Sequence, residues 1–163
     1  RWRAKLDTIP KLDCGSLYGL IGEFYRFKEV ISSCTEESFR KVYESDCASR
    51  YESIVYIFQS EHYFNRLRGE SNILYIGQTK RTFKSRYAPY SKHHANSKAN
   101  QLKFKYIIEN FGPISVLVSD FSRFGSSLSS AEGQLLWWYF QNHCEYPPIN
   151  YSKTRVRSDS PRV

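Results

Sequence analysis

Two runs of β-branched and aromatic residues, Ser53–Gln59 and Asn72–Gly77, constrain the fold more than any other feature of the chain. Each reads as a strand. About a dozen residues separate them, too few to hold the helical crossover that a parallel pair requires, so the two must pair antiparallel. That excludes a doubly wound parallel sheet and points to an α+β fold. A third strand is expected at Ile114–Val118, after two helical stretches. The expected architecture is a small three-stranded sheet, antiparallel or mixed, flanked by helices and preceded by an N-terminal helical layer.

Local signals fill in this outline. Ser33-Cys-Thr-Glu36 fits a capping box that opens a helix over Glu37–Cys47, while Leu17–Val30 is compatible with helix or strand. The loop between the first two strands carries Arg66, Arg68 and Gly69. The second strand ends in a glycine turn at Gly77, and Thr79 or Thr82 then caps a short basic helix that Pro89 ends or kinks. Residues 93–100 are polar and read as loop. Gln101–Asn110 repeats Leu102, Tyr106 and Ile107 at helical spacing and closes at Gly112-Pro113. Ala131–Gln141 is a helix apolar on nearly all sides, which belongs in a core. Three parts follow: a helical layer over 1–50, a core over 51–151, and a basic disordered tail over 152–163.

A length of 163 residues suits one domain with a sizeable core. No apolar run approaches the roughly 18 residues of a membrane span, and none follows the basic start as a signal peptide requires. The chain has no methionine, even at position 1, and so reads as a processed or excised piece of a longer protein. Cys14, Cys34, Cys47 and Cys144 form no Cys-x-x-Cys pair, which argues against a disulfide framework or a zinc site and suits a reducing cytoplasm or organelle interior.

The net charge of +8 is unevenly placed. Residues 1–50 carry nine Lys and Arg against eight Asp and Glu, whereas 51–163 carry fifteen against eight. Between Lys80 and Lys105 there are eight basic residues and no acidic one. Such a run is either a solvated face or a polyanion-binding one. Its interleaving with Phe83, Tyr87, Tyr90 and Phe104 suits nucleic acid, with aromatics available to stack on bases. Candidate contacts are Arg81, Lys84, Tyr90, Lys92 and Lys98, with Arg66 and Arg68 from the loop. The strand, glycine and helix of Leu74–Tyr87 gather Tyr75, Lys80 and Arg86 in one small region suited to phosphate.

Tyr56, Tyr75-Ile76-Gly77, Arg86, Glu132 and Asn150, in that order, resemble the GIY-YIG nuclease family over residues 53–151. The second motif is intact as Tyr-Ile-Gly. The first departs from the pattern, with Ile54 and Val55 where Gly and Ile are usual. The resemblance implies a three-stranded antiparallel sheet among helices and cleavage of phosphodiesters with one divalent metal. It also implies roles: Tyr56 orients or deprotonates the attacking water, Tyr75 supports it, Arg86 holds the phosphate, Glu132 holds Mg²⁺ or Mn²⁺, and Asn150 braces the site. Lys80 is the candidate to stabilise a tyrosinate or the scissile phosphate, and Tyr90 stands where the family often has His or Tyr.

Plainer readings accompany each residue. Tyr56 and Tyr75 are also ordinary strand aromatics, Gly77 an ordinary turn glycine, and Asn150 a residue following Pro147-Pro148. Ser129-Ser-Ala-Glu132 also fits a capping box, which would turn the Glu132 carboxylate back on its own helix. The set as a whole points to a metal-dependent endonuclease acting on DNA, restriction-type, with RNA left open as a substrate and a homodimer as one route to cutting both strands. The rival is a non-catalytic nucleic-acid-binding protein, such as a ribonucleoprotein component, on a degenerate GIY-YIG fold.

Overall fold

A computed structural model of the chain describes residues 14–151, so the expected tail at 152–163 and the first thirteen residues lie outside the described part. In chain order the elements are α1 (Cys14–Gly22), β1 (Tyr25–Arg26), α2 (Glu36–Tyr43), α3 (Asp46–Arg50), β2 (Ile54–Asn65), β3 (Glu70–Thr79), α4 (Phe83–Tyr87), a 3-10 turn (Ala88–Tyr90), α5 (Ser91–Asn96), α6 (Lys98–Phe111), β4 (Ile114–Asp120), a second 3-10 turn (Phe121–Arg123) and α7 (Leu128–His143). Hydroxyl side chains set many of the boundaries. Thr35, Ser45, Thr82, Ser97 and Ser127 each take an extended backbone and accept the amide of the residue three places on. Each such cap contributes about 1 kcal/mol.

The fold is α+β, with a sheet larger than expected. Among the described residues four strands, all antiparallel, run in the order β1-β4-β2-β3. The extra strand comes from the segment read as a helical layer: Leu17–Val30 is helix to Gly22 and then strand at Tyr25–Arg26, which pairs with Val118 and Leu117. The helix expected over Glu37–Cys47 breaks after Tyr43, because Ser45 caps a new one, and its first cap is Thr35 rather than Ser33.

The loop expected between the first two strands is mostly strand. β2 runs on to Asn65, and a four-residue turn, Arg66–Gly69, closes the hairpin with Gly69 at φ +71°. The polar run Ser60-Glu-His62 hid this extension, since two register shifts let polar residues ride the outer hairpin. Residues 93–100, expected as loop, are instead α5 and the start of α6. Pro89 sits in the first turn of a 3-10 segment, where a missing amide costs nothing.

Side chains alternate between the two faces of the sheet, as a period of two demands. One face, with Tyr56, Phe58, Val116 and Val118, packs on Phe27, Phe39, Tyr43, Phe83, Tyr87, Phe104 and Ile107. The other, with Val55, Ile57, Ile76 and Leu117, packs on Leu17 and Ile21 of α1 and on Ala131, Leu135 and Tyr139 of α7. α7 therefore buries one stripe only; Trp137 and Phe140 stack on each other on its outer side, with ring planes 8° apart. α6 likewise buries Phe104 and Ile107, leaving Leu102 and Tyr106 exposed rather than in the core. Among the described residues no helix is long and apolar enough to cross a membrane.

Candidate active site

The register of the hairpin builds the centre of the site. Tyr56 lies opposite Gly77, and Phe58 lies opposite Tyr75, so the two tyrosines are diagonal neighbours on one face. Their ring centroids are 6.1 Å apart. Gly77 allows this approach. A Cβ there would lie 2.6 Å from the Tyr56 hydroxyl oxygen and 2.7 Å from Cε1 of Tyr75. The glycine is thus not a turn residue, as its sequence context suggested: it sits inside β3, which continues to Thr79, and its role is to leave room for two phenols.

α4 closes the site from the side. Thr82 caps it, and the spacing of four residues stacks Phe83 on Tyr87 with centroids 4.6 Å apart. Both rings point inward against Tyr56, and the Tyr87 hydroxyl donates to the Tyr56 hydroxyl at 2.8 Å. Arg86, between them in sequence, turns aside and lays its guanidinium over the rings of Tyr87 and Tyr90, at 5.3 and 5.2 Å from their centroids. Partial burial opposes its charge, but the phenols of Tyr56, Tyr87 and Tyr90 more than offset this, so its pKa lies above the ordinary arginine value.

Two opposite charges reach the phenols. Burial is the main cause raising Tyr56 well above the usual tyrosine value; Glu132 raises it further and Arg86 works against this. Tyr75 is raised in the same way, chiefly by burial and next by Glu132, and is held down by Arg86 and by a hydrogen bond with Tyr56. Arg86 and Glu132 therefore both bear on one phenol pair. Among the described residues no ion pair joins them to each other.

Glu132 does not cap its helix. The capping box of α7 is made by Ser127 and Ser130, two residues before the pattern read from the sequence, so Glu132 stands beyond the first turn with its carboxylate free of that duty. Burial raises its pKa, and among the described residues no cationic neighbour counters the effect. A half-buried carboxylate without a counter-charge fits a hydrated cation. Among the described residues no three His, Cys, Asp or Glu side chains gather as a metal cage. A single carboxylate suits Mg²⁺ or Mn²⁺, which keep waters and lean on substrate oxygens, and not zinc, which wants a full protein set.

The remaining expected residues divide. The Asn150 amide pairs with the backbone of Ile76 in both directions, accepting from its N–H at 2.9 Å and donating to its C=O at 2.8 Å. It thereby fixes the outer edge of β3 between Tyr75 and Gly77. Lys80 is exposed just past β3, and its charge is not among those felt by the phenols. Arg81, Lys84 and Lys92 are exposed along the turn and helices beyond Lys80, and Tyr90 is 38% exposed. Lys98 begins α6 and lines a trough of about 1140 Å³ with Leu74, Leu102, Tyr106, Phe111 and Ile149.

Arg66 and Arg68 are not brought to the site. They sit at the hairpin turn, eight or more strand residues from Gly77, which at about 3.3 Å per residue is roughly 25 Å. Arg66 is also engaged: its Nε lies 2.9 Å from Glu145 Oε1 and its NH2 group donates to the Tyr146 carbonyl at 2.7 Å. The aromatics among the cations are not a stacking surface either. Phe83, Tyr87 and Phe104 are buried, which leaves Tyr90 exposed.

The sequence reading missed Tyr87 as a partner of Tyr56. The signal was present in the spacing of Phe83 and Tyr87 behind the Thr82 cap, which puts both on one helix face. No family model, no curated protein and no solved structure matches this chain.

Proposed function

We propose that this chain is a metal-dependent endonuclease of the GIY-YIG kind that hydrolyses phosphodiesters in DNA, in the manner of a restriction enzyme. The observation that carries this reading is the convergence of Arg86 and Glu132 on the Tyr56–Tyr75 pair without neutralising each other. Kept apart, the guanidinium is left to bind an anion and the carboxylate to bind a cation.

The chemistry follows from these positions. Hydrolysis builds negative charge on the phosphoryl oxygens, and donors fixed there beforehand supply much of the acceleration. Arg86 presents a planar fork that remains charged at any working pH, and its stacking on Tyr87 and Tyr90 holds that fork in place. Glu132 would hold Mg²⁺, which supplies Lewis-acid stabilisation of the phosphoryl group. The ionised form of the pair, one phenolate, takes the proton from the attacking water as the water oxygen bonds to phosphorus; the P–O ester bond breaks and the leaving oxygen takes a proton from solvent. Asn150 keeps β3 from shifting beneath the pair.

Sequencing the products formed from a mixed pool of DNA and RNA in Mg²⁺ tests the activity and the substrate together. DNA fragments with defined ends are expected. Intact DNA and RNA in both Mg²⁺ and Mn²⁺ would remove the proposal.

A further inference from the structure

α6 leaves a ridge uncovered. Leu102 and Tyr106, one turn apart on this helix, are 69% and 62% exposed. On one side the ridge borders the trough of about 1140 Å³, lined by Leu74, Ile107 and Ile149 among others. On the other it borders a smaller recess of about 840 Å³ that reaches Cys34 and Ile108. The trough is held open by its own framework. The Ile149 N–H donates to the Leu74 carbonyl at 2.9 Å, the Phe64 and Phe111 rings meet edge-on at 5.4 Å, and Lys103 Nζ donates to the Tyr151 hydroxyl at 3.2 Å. A preformed apolar trough beside an exposed apolar ridge marks a contact surface.

Charge selects the occupant. Among the described residues Arg66, Lys98 and Lys103 line the trough and no acidic side chain does. Arg66 is committed to Glu145, whereas Lys103 meets a neutral hydroxyl and the rings of Phe104 and Tyr151, and so keeps its charge at the rim. The nearest candidates within this chain carry the wrong sign. A second copy docked face to face would set Lys98, Lys103 and Lys105 of one α6 against the same three of the other, with Glu109 alone to offset them. Residues 1–13 hold four basic residues against two acidic, and 152–163 hold four against one. Nucleic acid has the right sign but no aliphatic groups to fill a trough of leucine, isoleucine and proline. We propose that the trough and ridge of α6 dock an acidic amphipathic helix of another protein, its apolar stripe seated over Leu102 and Ile149 and its carboxylates against Lys98 and Lys103. The inference stands apart from the nuclease reading.

The dimensions suit such a partner. α6 has 14 residues and is roughly 21 Å long, so a helix laid along it presents three or four turns. Apolar residues recurring every third or fourth position then meet the trough, and acidic residues beside that stripe meet the rim. Place adds a consequence. Ile149 immediately precedes Asn150, whose amide grips the backbone of Ile76, so an occupant lies beside the segment that fixes the outer edge of β3.

The test is selection from a displayed library of random peptides of about sixteen residues, roughly four helical turns, on the full chain. The enriched peptides are then synthesised and titrated by fluorescence anisotropy. They should be net acidic, with apolar residues at helical spacing. Leu102→Ala with Tyr106→Ala should weaken their binding about tenfold or more, as on loss of interface anchors. Lys98→Glu with Lys103→Glu should weaken it several-fold, and added salt should narrow that difference. All four side chains belong to an exposed helix face or its rim, so melting curves near the wild type are expected for both variants. No enrichment, enriched peptides that are neutral or basic, or binding indifferent to Leu102 and Tyr106 would overturn the proposal. A single-stranded DNA oligonucleotide is titrated beside the peptides. If it displaces them and loses the same tenfold in Leu102→Ala with Tyr106→Ala, the trough belongs to nucleic acid and the protein partner is rejected. None of these readouts involves cleavage, so they hold or fail independently of the nuclease.

Discussion

Substitutions at Arg86, Glu132 and Ser127 separate the proposed roles of binding and chemistry from a role in folding. Arg86→Ala removes the fork proposed to hold the phosphate, and turnover should fall by about 10²–10³-fold, as on loss of one transition-state donor; a steady-state assay showing unchanged turnover would remove Arg86 from the site. Glu132 and Ser127 share a helix but not a function. Ser127→Ala should cost about 1 kcal/mol of stability and keep cleavage, whereas Glu132→Gln should lose cleavage and melt higher at neutral pH. The sign follows from burial, which raises the folded-state pKa of Glu132 above its unfolded value. Stability from that group is full below the unfolded value and is lost as pH rises through the folded one, so removing the charge restores it. Melting curves of both variants across pH 4–8 check the pair. In the proposed reaction the phenols would set the pH dependence. Both are raised by burial, so log turnover should keep climbing with pH beyond 9, and a plateau below pH 8 would assign the base to another group.

The elements show where sequence carried the structure and where it fell short. The antiparallel hairpin was legible because β-branched and aromatic runs separated by a short spacer have few other solutions. The Thr82 cap and the close of α6 at Gly112 were legible because caps act locally. β1 was not, since a two-residue strand owes its existence to the exposed edge of β4. Nor was the length of β2, whose polar outer half is held by register and by Phe64 packing on Phe111. Of the candidate site, Tyr56, Tyr75 and Arg86 were legible as a set, while the reason for Gly77 and the partner of Tyr56 required three-dimensional neighbours. The hairpin also sorts the basic residues. Lys84→Ala with Lys92→Ala should weaken DNA binding several-fold in a titration, because both lie on helices beside Arg86. Arg66→Ala with Arg68→Ala, at the far turn, should leave cleavage within about twofold and lower stability through the lost contact to Glu145.

At the scale of the whole molecule, a net charge of +8 favours the approach of a polyanion, and the two-faced core fixes the hairpin that carries Tyr56 and Tyr75. In the proposed reaction a single constellation of this kind would face one phosphodiester at a time. Both strands of a duplex therefore need two encounters or two copies of the chain. The most direct measurement is relaxation of supercoiled plasmid by the wild type in Mg²⁺, beside the same protein in chelator and beside Glu132→Gln. The account predicts nicked circles appearing before linear product in Mg²⁺ alone, with neither chelated protein nor variant cutting although both still shift the plasmid on a gel. Plasmid that is bound by the wild type but stays supercoiled in Mg²⁺ and in Mn²⁺ would contradict it and leave a nucleic-acid-binding protein in place of an enzyme.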